Sequence, residues 1–201
     1  MDISQIAYLG LLAATGSGRL AEMRVSRRNQ RRLASEGAAR VAEPHFRWMV
    51  ALHVGVLIGA GAEVIFLHRP LIPALAILMA ALFLLSNALR WWVIRTLRGH
   101  WNIQVVDSAR LGIVTGGPYR WVRHPNYVAV FVELIALPLI YTAWITALCA
   151  AVLHVWVLHE RLAVEEPVLL ANPAYRAAMC GKPRFFPRVF HRFEIQANKS
   201  S

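Results

Sequence analysis

The chain has 201 residues, of which 57% are hydrophobic and only 16% charged, and its formal net charge is +11. A soluble domain of this length usually carries about a quarter charged residues, so the composition excludes an ordinary soluble fold and indicates a membrane protein. The cations lie beside apolar segments, where they would face lipid headgroups, and we therefore expect no nucleic-acid partner despite the basic charge. The length allows one compact unit.

Five apolar segments follow one another along the chain, and each is a candidate transmembrane helix. About 20 residues cross the hydrocarbon core, a length that the second and third segments reach. The last two are shorter and are separated only by "YTA", which predicts a tight helical hairpin. Pro138 is expected to kink or end the fourth. The segments run over about 3–20, 47–67, 71–94, 127–141 and 143–158.

Basic residues occupy every second connection between these segments. The first connection contains RVSRRNQRRLASEGAAR, residues 24–40, whereas the second carries only Arg69 and the fourth carries no cation. The positive-inside rule then predicts an all-α polytopic bundle with about five spans, its N-terminus outside and its C-terminus cytoplasmic. The connection after the third segment carries Arg95, Arg98, Arg110, Arg120 and Arg123, and the C-terminal tail carries Arg176, Lys182, Arg184, Arg188, Arg192 and Lys199.

A stiff polar loop, GGPYRWVRHPNY, comes directly before the fourth segment. Gly116 to Pro118 predicts a tight turn, since glycine accepts a positive φ and proline fixes its own. Pro125 restricts His124 to an extended conformation and suits the first turn of a helix. The loop thus holds polar side chains at a helix N-terminus, which favours an anion. A headgroup anchor that also caps the helix is the alternative.

A second polar cluster, HERLAVEEPVLL, follows the fifth segment from His159. Arg161 and Glu165 are spaced four residues apart on one helical face, Glu166 is adjacent, and Pro167 is expected to close the helix. Paired carboxylates beside an arginine could position a cationic ligand and an acidic acceptor in one pocket. Ordinary ion pairs at a solvated helix end would give the same pattern.

Taken together, the two motifs resemble the isoprenylcysteine carboxyl methyltransferase family, integral membrane enzymes that use S-adenosylmethionine. The family's RHPxY loop reads Arg123-His124-Pro125-Asn126-Tyr127 here, and its RxxxEExxL motif occupies residues 161–169. The resemblance covers about residues 101–187. Residues 19–54 are similar to a bacterial branch found beside type III polyketide synthases, whose members methylate hydroxyls of alkylpyrones and alkylresorcinols. One departure is that Val128 follows the loop where many relatives carry glycine.

The resemblance implies a single membrane methyltransferase domain over 1–201. Residues 1–100 would supply the N-terminal transmembrane helices and a basic cytoplasmic loop, and residues 101–190 the cofactor-binding core. The cofactor would be S-adenosylmethionine, bound on the cytoplasmic side of a bacterial inner membrane. The implied catalytic residues are Arg161, Glu165 and Glu166, and the implied cofactor-binding residues are Gly117, Pro118, Tyr119, Arg120, Val122, Arg123, His124, Pro125, Tyr127, Glu165, Tyr175, Arg184 and Phe185.

The acceptor is expected to be a lipophilic small molecule that enters from the bilayer. Glu133 lies nine residues past His124 on the same segment and could line its cavity; we also expect contacts from Trp101, Asn102 and Gln104. A carboxylate acceptor, as in isoprenylcysteine, is already ionised, and Arg161 would only orient it. A phenol has a pKa of about 10 and needs a base. The residues alone leave this choice open.

Other polar residues suit a structural explanation. We expect Glu63 and His53, both at membrane depth, to form interhelical hydrogen bonds. Cys149 and Cys180 lack any CxxC or Cys/His ligand spacing, so neither a disulfide nor a metal site is expected. A non-enzymatic lipid or small-molecule carrier is the alternative to an enzyme. Such a carrier is typically built from internal repeats with broken helices, and the sequence contains no such repeat.

Overall fold

The structure is a computed structural model that describes residues 1–107 and 111–187. These residues are predominantly helical. The predicted cations Arg110, Arg188, Arg192 and Lys199 lie outside these residues. Two short strands, β1 (Ala39–Arg40) and β2 (Val106–Asp107), pair antiparallel. The helices are α1 (Ile3–Ser35), α2 (Phe46–Phe66), α3 (Pro73–Leu97), α4 (Pro125–Leu139), α5 (Trp144–Ala171) and α6 (Pro173–Met179).

Three helical stretches in the described part of the chain are long and apolar enough to cross a membrane: Phe46–Phe66, Pro73–His100 and Trp144–Ala171. Helix α4 is apolar but shorter. Large apolar side chains such as Ile58, Leu84 and Leu148 point outward, as expected of surfaces that face lipid rather than water. The helical membrane fold is therefore confirmed, whereas the count of five spans and the orientation of the termini stay predictions.

Helix α1 differs from its predicted form. The sequence suggested a span that ends near residue 20 and a basic loop over 24–40, but one continuous helix of 33 residues, about 50 Å long, runs through Ser35. Arginine, glutamine, leucine and alanine are good helix formers, so the basic stretch extends the helix. Gly16 does not interrupt the helix. At this position α1 packs closely on α2, since a Cβ atom added to Gly16 would lie 3.3 Å from a Leu57 methyl group.

Helix α4 is short and central, packed between α3 and α5. It ends at Leu139, one residue after Pro138, and residues 140–143 turn the chain directly into α5. The predicted hairpin and the predicted effect of Pro138 are both confirmed. Tyr8 of α1 donates a hydrogen bond to the Leu137 carbonyl at 3.0 Å, which ties the start of α1 to the end of α4.

The predicted end of α5 was wrong. Pro167 lies inside the helix, which continues to Ala171 and gives way to α6 only at Asn172. A proline removes one backbone hydrogen bond without forcing a helix to stop, and Glu165 and Glu166, directly before it, are held by tertiary contacts. Asn172 caps α6 by accepting from the backbone N–H groups of residues 174 and 175.

The two polar residues of α2, Glu63 and His53, form different hydrogen bonds. The Glu63 carboxylate accepts from the N–H groups of Ile145 and Thr146 at the start of α5, at 3.1 and 2.8 Å, and pairs with Arg69. The predicted interhelical hydrogen bond is confirmed for this residue. For His53 it was wrong, because Nδ1 donates to the Met49 carbonyl of its own helix.

Candidate active site

The loop ahead of α4 has the predicted form. Gly117 has φ +54° and begins a 3-10 helix that runs to Arg120. A Cβ at Gly117 would lie 2.4 Å from Thr96 Oγ1 of α3, so only glycine satisfies both the conformation and the contact. Pro125 is the first residue of α4, and His124 lies outside the helical region at φ −129°, ψ 60°. The turn and the helix start are confirmed.

The C-terminal tail pairs with this loop through its backbone. The N–H groups of Arg123 and His124 donate to the carbonyls of Pro183 and Arg184, both at 2.9 Å. Lys182 Nζ donates to the Tyr119 carbonyl at 2.7 Å. Two N–H groups that could have faced an anion are thus used to hold the tail, so any ligand of this loop must be recognised largely by side chains.

Glu166 joins the loop to the tail. Its carboxylate accepts from Arg184 Nε at 3.0 Å, and it lies 3.2 Å from both Arg123 Nη1 and His124 Nε2. The carboxylate is buried, and three partners surround it. Glu166 is therefore positioned to fix the tail rather than to receive a ligand.

Glu165, the adjacent residue, belongs to a different network. Its carboxylate accepts from the Tyr127 hydroxyl and lies 3.5 Å from Arg161 Nε. The same hydroxyl accepts from Arg161 Nε at 2.5 Å, and the guanidinium lies over the Tyr127 ring. Arg161 Nη2 donates to the Ile103 carbonyl, and Nη1 lies 3.5 Å from Glu43. Arg161 is thus fixed by residues from four parts of the chain.

A polar cavity of about 170 Å³ opens beside Glu165. Three buried polar atoms on its wall have no hydrogen-bond partner in the described part of the chain: Asn102 Oδ1, Asn126 Oδ1 and Arg123 Nε. Such groups are costly unless a ligand or water satisfies them, so these three atoms are available to a polar molecule in the cavity. The predicted site residues on its wall are Trp101, Asn102, Gln104, Tyr119, Arg123, His124, Tyr127, Arg161, Glu165 and Tyr175.

The remaining predicted cofactor residues frame this cavity rather than line it. Pro118 and Val122 are buried in the loop, and the Phe185 ring lies 6.4 Å from the His124 ring. Arg120 lies over the Trp121 ring at 5.7 Å. The residues outside the wall are Gly117, Pro118, Arg120, Val122, Pro125, Glu166, Arg184 and Phe185.

Burial sets the protonation of the groups around the cavity. It lowers the pKa of His124 below the ordinary value, although Glu165 and Glu166 partly oppose this, so the imidazole is neutral at pH 7. Burial also raises the pKa of Tyr175 to about 12 and that of Tyr119 further, with Glu165 adding to both shifts. Both phenols therefore stay protonated.

A second cavity, of about 300 Å³ and mostly apolar, lies between α1, α2, α4 and α5. Its wall includes Leu57, Val130 and Val157. It shares five wall residues with the polar cavity, so the two cavities are adjacent at these side chains, which we call the junction. The shared residues are Trp101, Asn102, Asn126, Tyr127 and Arg161.

The predicted acceptor residues are divided between these spaces. Trp101 and Asn102 lie at the junction of the two cavities, whereas Gln104 lines only the polar cavity. The Glu133 carboxylate is buried 3.3 Å from Arg19 Nη2 and is not itself on either wall. Its contact with the cavity is indirect, through Arg19.

Sequence analysis missed three residues in or next to the junction. Asn126 lies inside the quoted RHPNY motif. Its polar amide side chain within that motif was the one signal that could have identified it as a site residue. Glu43 and Met49, which contact Arg161 Nη1 at 3.5 and 3.1 Å, come from the connection before α2 and from α2 itself. No pattern in the sequence links them to a motif more than a hundred residues away.

Comparisons with known proteins agree on a family. The sequence model of the isoprenylcysteine carboxyl methyltransferase (ICMT) family matches residues 77–171. The uncharacterized protein YpbQ of Bacillus subtilis (strain 168) is 30% identical over 152 residues, which cover 75% of this chain and 89% of YpbQ.

A solved structure of the eukaryotic intramembrane Ras methyltransferase ICMT superposes with a TM-score of 0.52 at 22% identity. The match covers 69% of this chain and 52% of the solved one, so the chain spans about half the length of that protein. At this identity the likeness shows a shared fold.

Proposed function

The chain belongs to the isoprenylcysteine carboxyl methyltransferase family, and on that basis we propose that it is a membrane methyltransferase that transfers a methyl group from S-adenosylmethionine to an oxygen of a lipophilic acceptor. The acceptor is an alkylpyrone, an alkylresorcinol or a similar polyketide hydroxyl. The observation that carries the proposal is the meeting of a polar and an apolar cavity at Tyr127 and Arg161. A water-soluble donor and a lipid-soluble acceptor need such a junction.

The polar cavity fits S-adenosylmethionine by the chemistry of its wall. The cofactor carries an amino-acid end, a ribose and an adenine, which require charged and amide partners. Arg123 and Asn102 offer unsatisfied buried atoms, and Glu165 offers a carboxylate. The protonated phenols of Tyr119 and Tyr175 add two donors. When bound, the cofactor supplies a methyl group on a sulfonium cation.

Charge at the junction supports a hydroxyl acceptor over a carboxylate. Arg161 lies 3.5 Å from both Glu43 and Glu165, so two carboxylates already surround one guanidinium. An anionic acceptor would add a third negative charge, which is unfavourable in a buried site. The isoprenylcysteine carboxylate that the family name indicates is therefore the second candidate.

A hydroxyl acceptor requires a base, and Glu165 is placed to serve as one. Methyl transfer forms a carbon–oxygen bond and breaks the carbon–sulfur bond, while the hydroxyl proton passes to the carboxylate. The Tyr127 hydroxyl, bonded to both Glu165 and Arg161, fixes that carboxylate beside the junction. The buried ring of Trp101 keeps water from the same place.

We further propose that the acceptor enters from the bilayer between α1 and α2. Leu20 and Val54 line the apolar cavity and are also about half exposed on the outer surface, so the wall is open to lipid there. The active site would face the cytoplasm of a bacterial inner membrane, because the basic connections lie on that side under the positive-inside rule.

Titration calorimetry with S-adenosylhomocysteine tests the cofactor site. We expect saturable binding by the purified protein, weakened by His124→Ala and by Glu165→Ala. His159→Ala is the matched control, since His159 is exposed on α5 outside both cavities. Transfer of a radiolabelled methyl group to pentadecylresorcinol and to an isoprenylcysteine then compares the acceptors. Absence of binding by folded wild-type protein would refute the proposal.

A further inference from the structure

The apolar cavity has a second polar region, away from the junction with the polar cavity. Arg19 and Arg90 both line the cavity and share the carboxylates of Glu22 and Glu133. The Arg90 guanidinium donates to both Glu22 oxygens at 2.8 to 3.1 Å. These groups come from α1, α3 and α4, and all four charges balance. The cluster therefore needs no further ion.

Two histidines face the same cavity from the other side. His154 of α5 is 5% exposed, and neither of its ring nitrogens has a hydrogen-bond partner among the described residues. His53 of α2 also lines the cavity, and its Nδ1 donates to the Met49 carbonyl at 2.8 Å. Its Nε2 is then the acceptor of a neutral ring.

Several buried polar atoms of this region have no hydrogen-bond partner among the described residues. Arg19 Nε and both nitrogens of His154 are buried without a hydrogen bond in the described part of the chain, and Arg90 Nη1 lies 3.5 Å from Glu133 Oε2 without forming one. Each buried donor or acceptor left unpaired costs about 1–3 kcal/mol. An apolar cavity for a hydrocarbon chain alone would carry leucine or phenylalanine at these positions. These polar atoms are therefore available to a polar group of a molecule bound in the cavity.

We propose that this region, defined by His53, His154, Arg19 and Arg90, binds a second hydroxyl of the acceptor. A hydroxyl can donate to a histidine nitrogen and accept from the Arg90 guanidinium at once, which neither a protonated amine nor a carbonyl can do. The inference rests on the proposed function, because it concerns the acceptor of that same site. It narrows the substrate class to lipophilic molecules with two oxygen functions.

The dimensions agree with a single ring between the two polar regions. His154 and Arg161 lie seven residues apart on α5, about 10 Å along the axis. The Met49 sulfur is 3.1 Å from Arg161 Nη1, and His53 follows one turn later, about 6 Å along α2. One oxygen at Tyr127 and the other at the histidines therefore fit two separate positions of one six-membered ring. The alkyl chain would leave between α1 and α2.

Two probes that differ by one ring hydroxyl test this assignment: pentadecylresorcinol and pentadecylphenol. The full-length protein, saturated with S-adenosylhomocysteine, is titrated with each probe, and Kd is obtained from the ligand-dependent rise in melting temperature. We expect the wild type to bind the resorcinol about fivefold more tightly, which is the effect of one net hydrogen bond.

His154→Leu should reduce this preference to about twofold or less and leave the affinity for the phenol unchanged. His53→Leu serves as the second variant in case the first does not fold. His159→Leu, on the same helix but outside the cavity, should keep the full preference. Equal affinities in the wild type, or a preference that survives in both variants, would overturn the inference.

The second hydroxyl site and the proposed methyltransferase function can fail independently of each other. If the preference depends on His154 but no methyl transfer occurs, the second hydroxyl site stands and the enzymatic proposal fails. If both probes are methylated but bind equally, the enzymatic proposal stands and the second site fails.

Discussion

Glu165 and Glu166 are adjacent on α5, yet their carboxylates bind opposite sides of the site: Glu165 accepts from Tyr127 at the cavity junction, and Glu166 accepts from Arg184 in the tail. Consecutive helical residues point about 100° apart, which places one carboxylate on the cavity wall and the other behind it. Glu165 and Glu166, which form one motif in the sequence, therefore have two separate structural roles.

Glu166→Gln is expected to loosen the tail. The variant loses the charged partner of Arg184 and Arg123, although Arg184 is itself exposed, so we expect a local loss of about 1 kcal/mol. Hydrogen exchange of the Arg123 and His124 amides, which donate to the tail, should then accelerate roughly fivefold. Glu165→Gln is the control and should leave these two amides unchanged; equal exchange in both variants would contradict the assignment.

Glu165→Gln is expected to slow methyl transfer to a phenolic acceptor about 10²-fold or more, because the acceptor loses its base. The residual rate should rise with pH as the phenol ionises toward its pKa of about 10. The measurement is a pH–rate profile from pH 7 to the limit of protein stability. A variant with wild-type rate at pH 7 would show that another group takes the proton.

His124 should make the protein less stable in mild acid. Its pKa in the folded protein is below the unfolded value near 6.5, so the unfolded chain binds the proton first as pH falls. Stability from this residue is therefore complete above pH 6.5 and is lost below it. Glu165, Glu166 and Arg123 face the ring and modulate the shift.

Melting temperatures of wild type and His124→Gln at pH 7.5 and 5.5 measure this effect. We expect the wild type to lose more than the variant on acidification, since the variant lacks the titrating ring. An equal loss in both proteins would assign acid sensitivity to the carboxylates instead.

Arg90→Met should destabilise the bundle severely. It leaves the two buried carboxylates of Glu22 and Glu133 with one cation, Arg19, instead of two, which costs about 3–5 kcal/mol, or roughly 6–20 °C in melting temperature. Arg95→Met, on the same helix but exposed, is the control and should be near neutral. Adding Glu22→Gln to Arg90→Met should recover part of the loss; no recovery would show that packing, not charge, is responsible.

Gly117→Ala should distort the cofactor loop, whereas Gly116→Ala should not. Alanine at φ +54° costs about 1–2 kcal/mol, and its Cβ also meets Thr96 of α3. Gly116 has φ −83° and open space around its Cβ position. We expect weaker S-adenosylhomocysteine binding, measured by calorimetry, in the first variant alone. Equal binding in both would show that the turn does not shape the cavity.

Local chemistry determined much of this protein from the sequence. Apolar run length indicated the membrane helices, and Gly117, Pro125 and Pro138 fixed a turn, a helix start and a helix end through their own backbone restrictions. These features depend on neighbouring residues, so sequence order was sufficient to predict them.

Tertiary packing decided the rest. The course of α5 through Pro167 and the separate partners of Glu165 and Glu166 depend on surfaces that meet after folding. Arg161 of the junction is held by Glu43, Met49 and Tyr127, and the second polar region unites α1 and α3 with α2 and α5. Contacts between residues so far apart in sequence arise from helix packing, which local preferences do not encode.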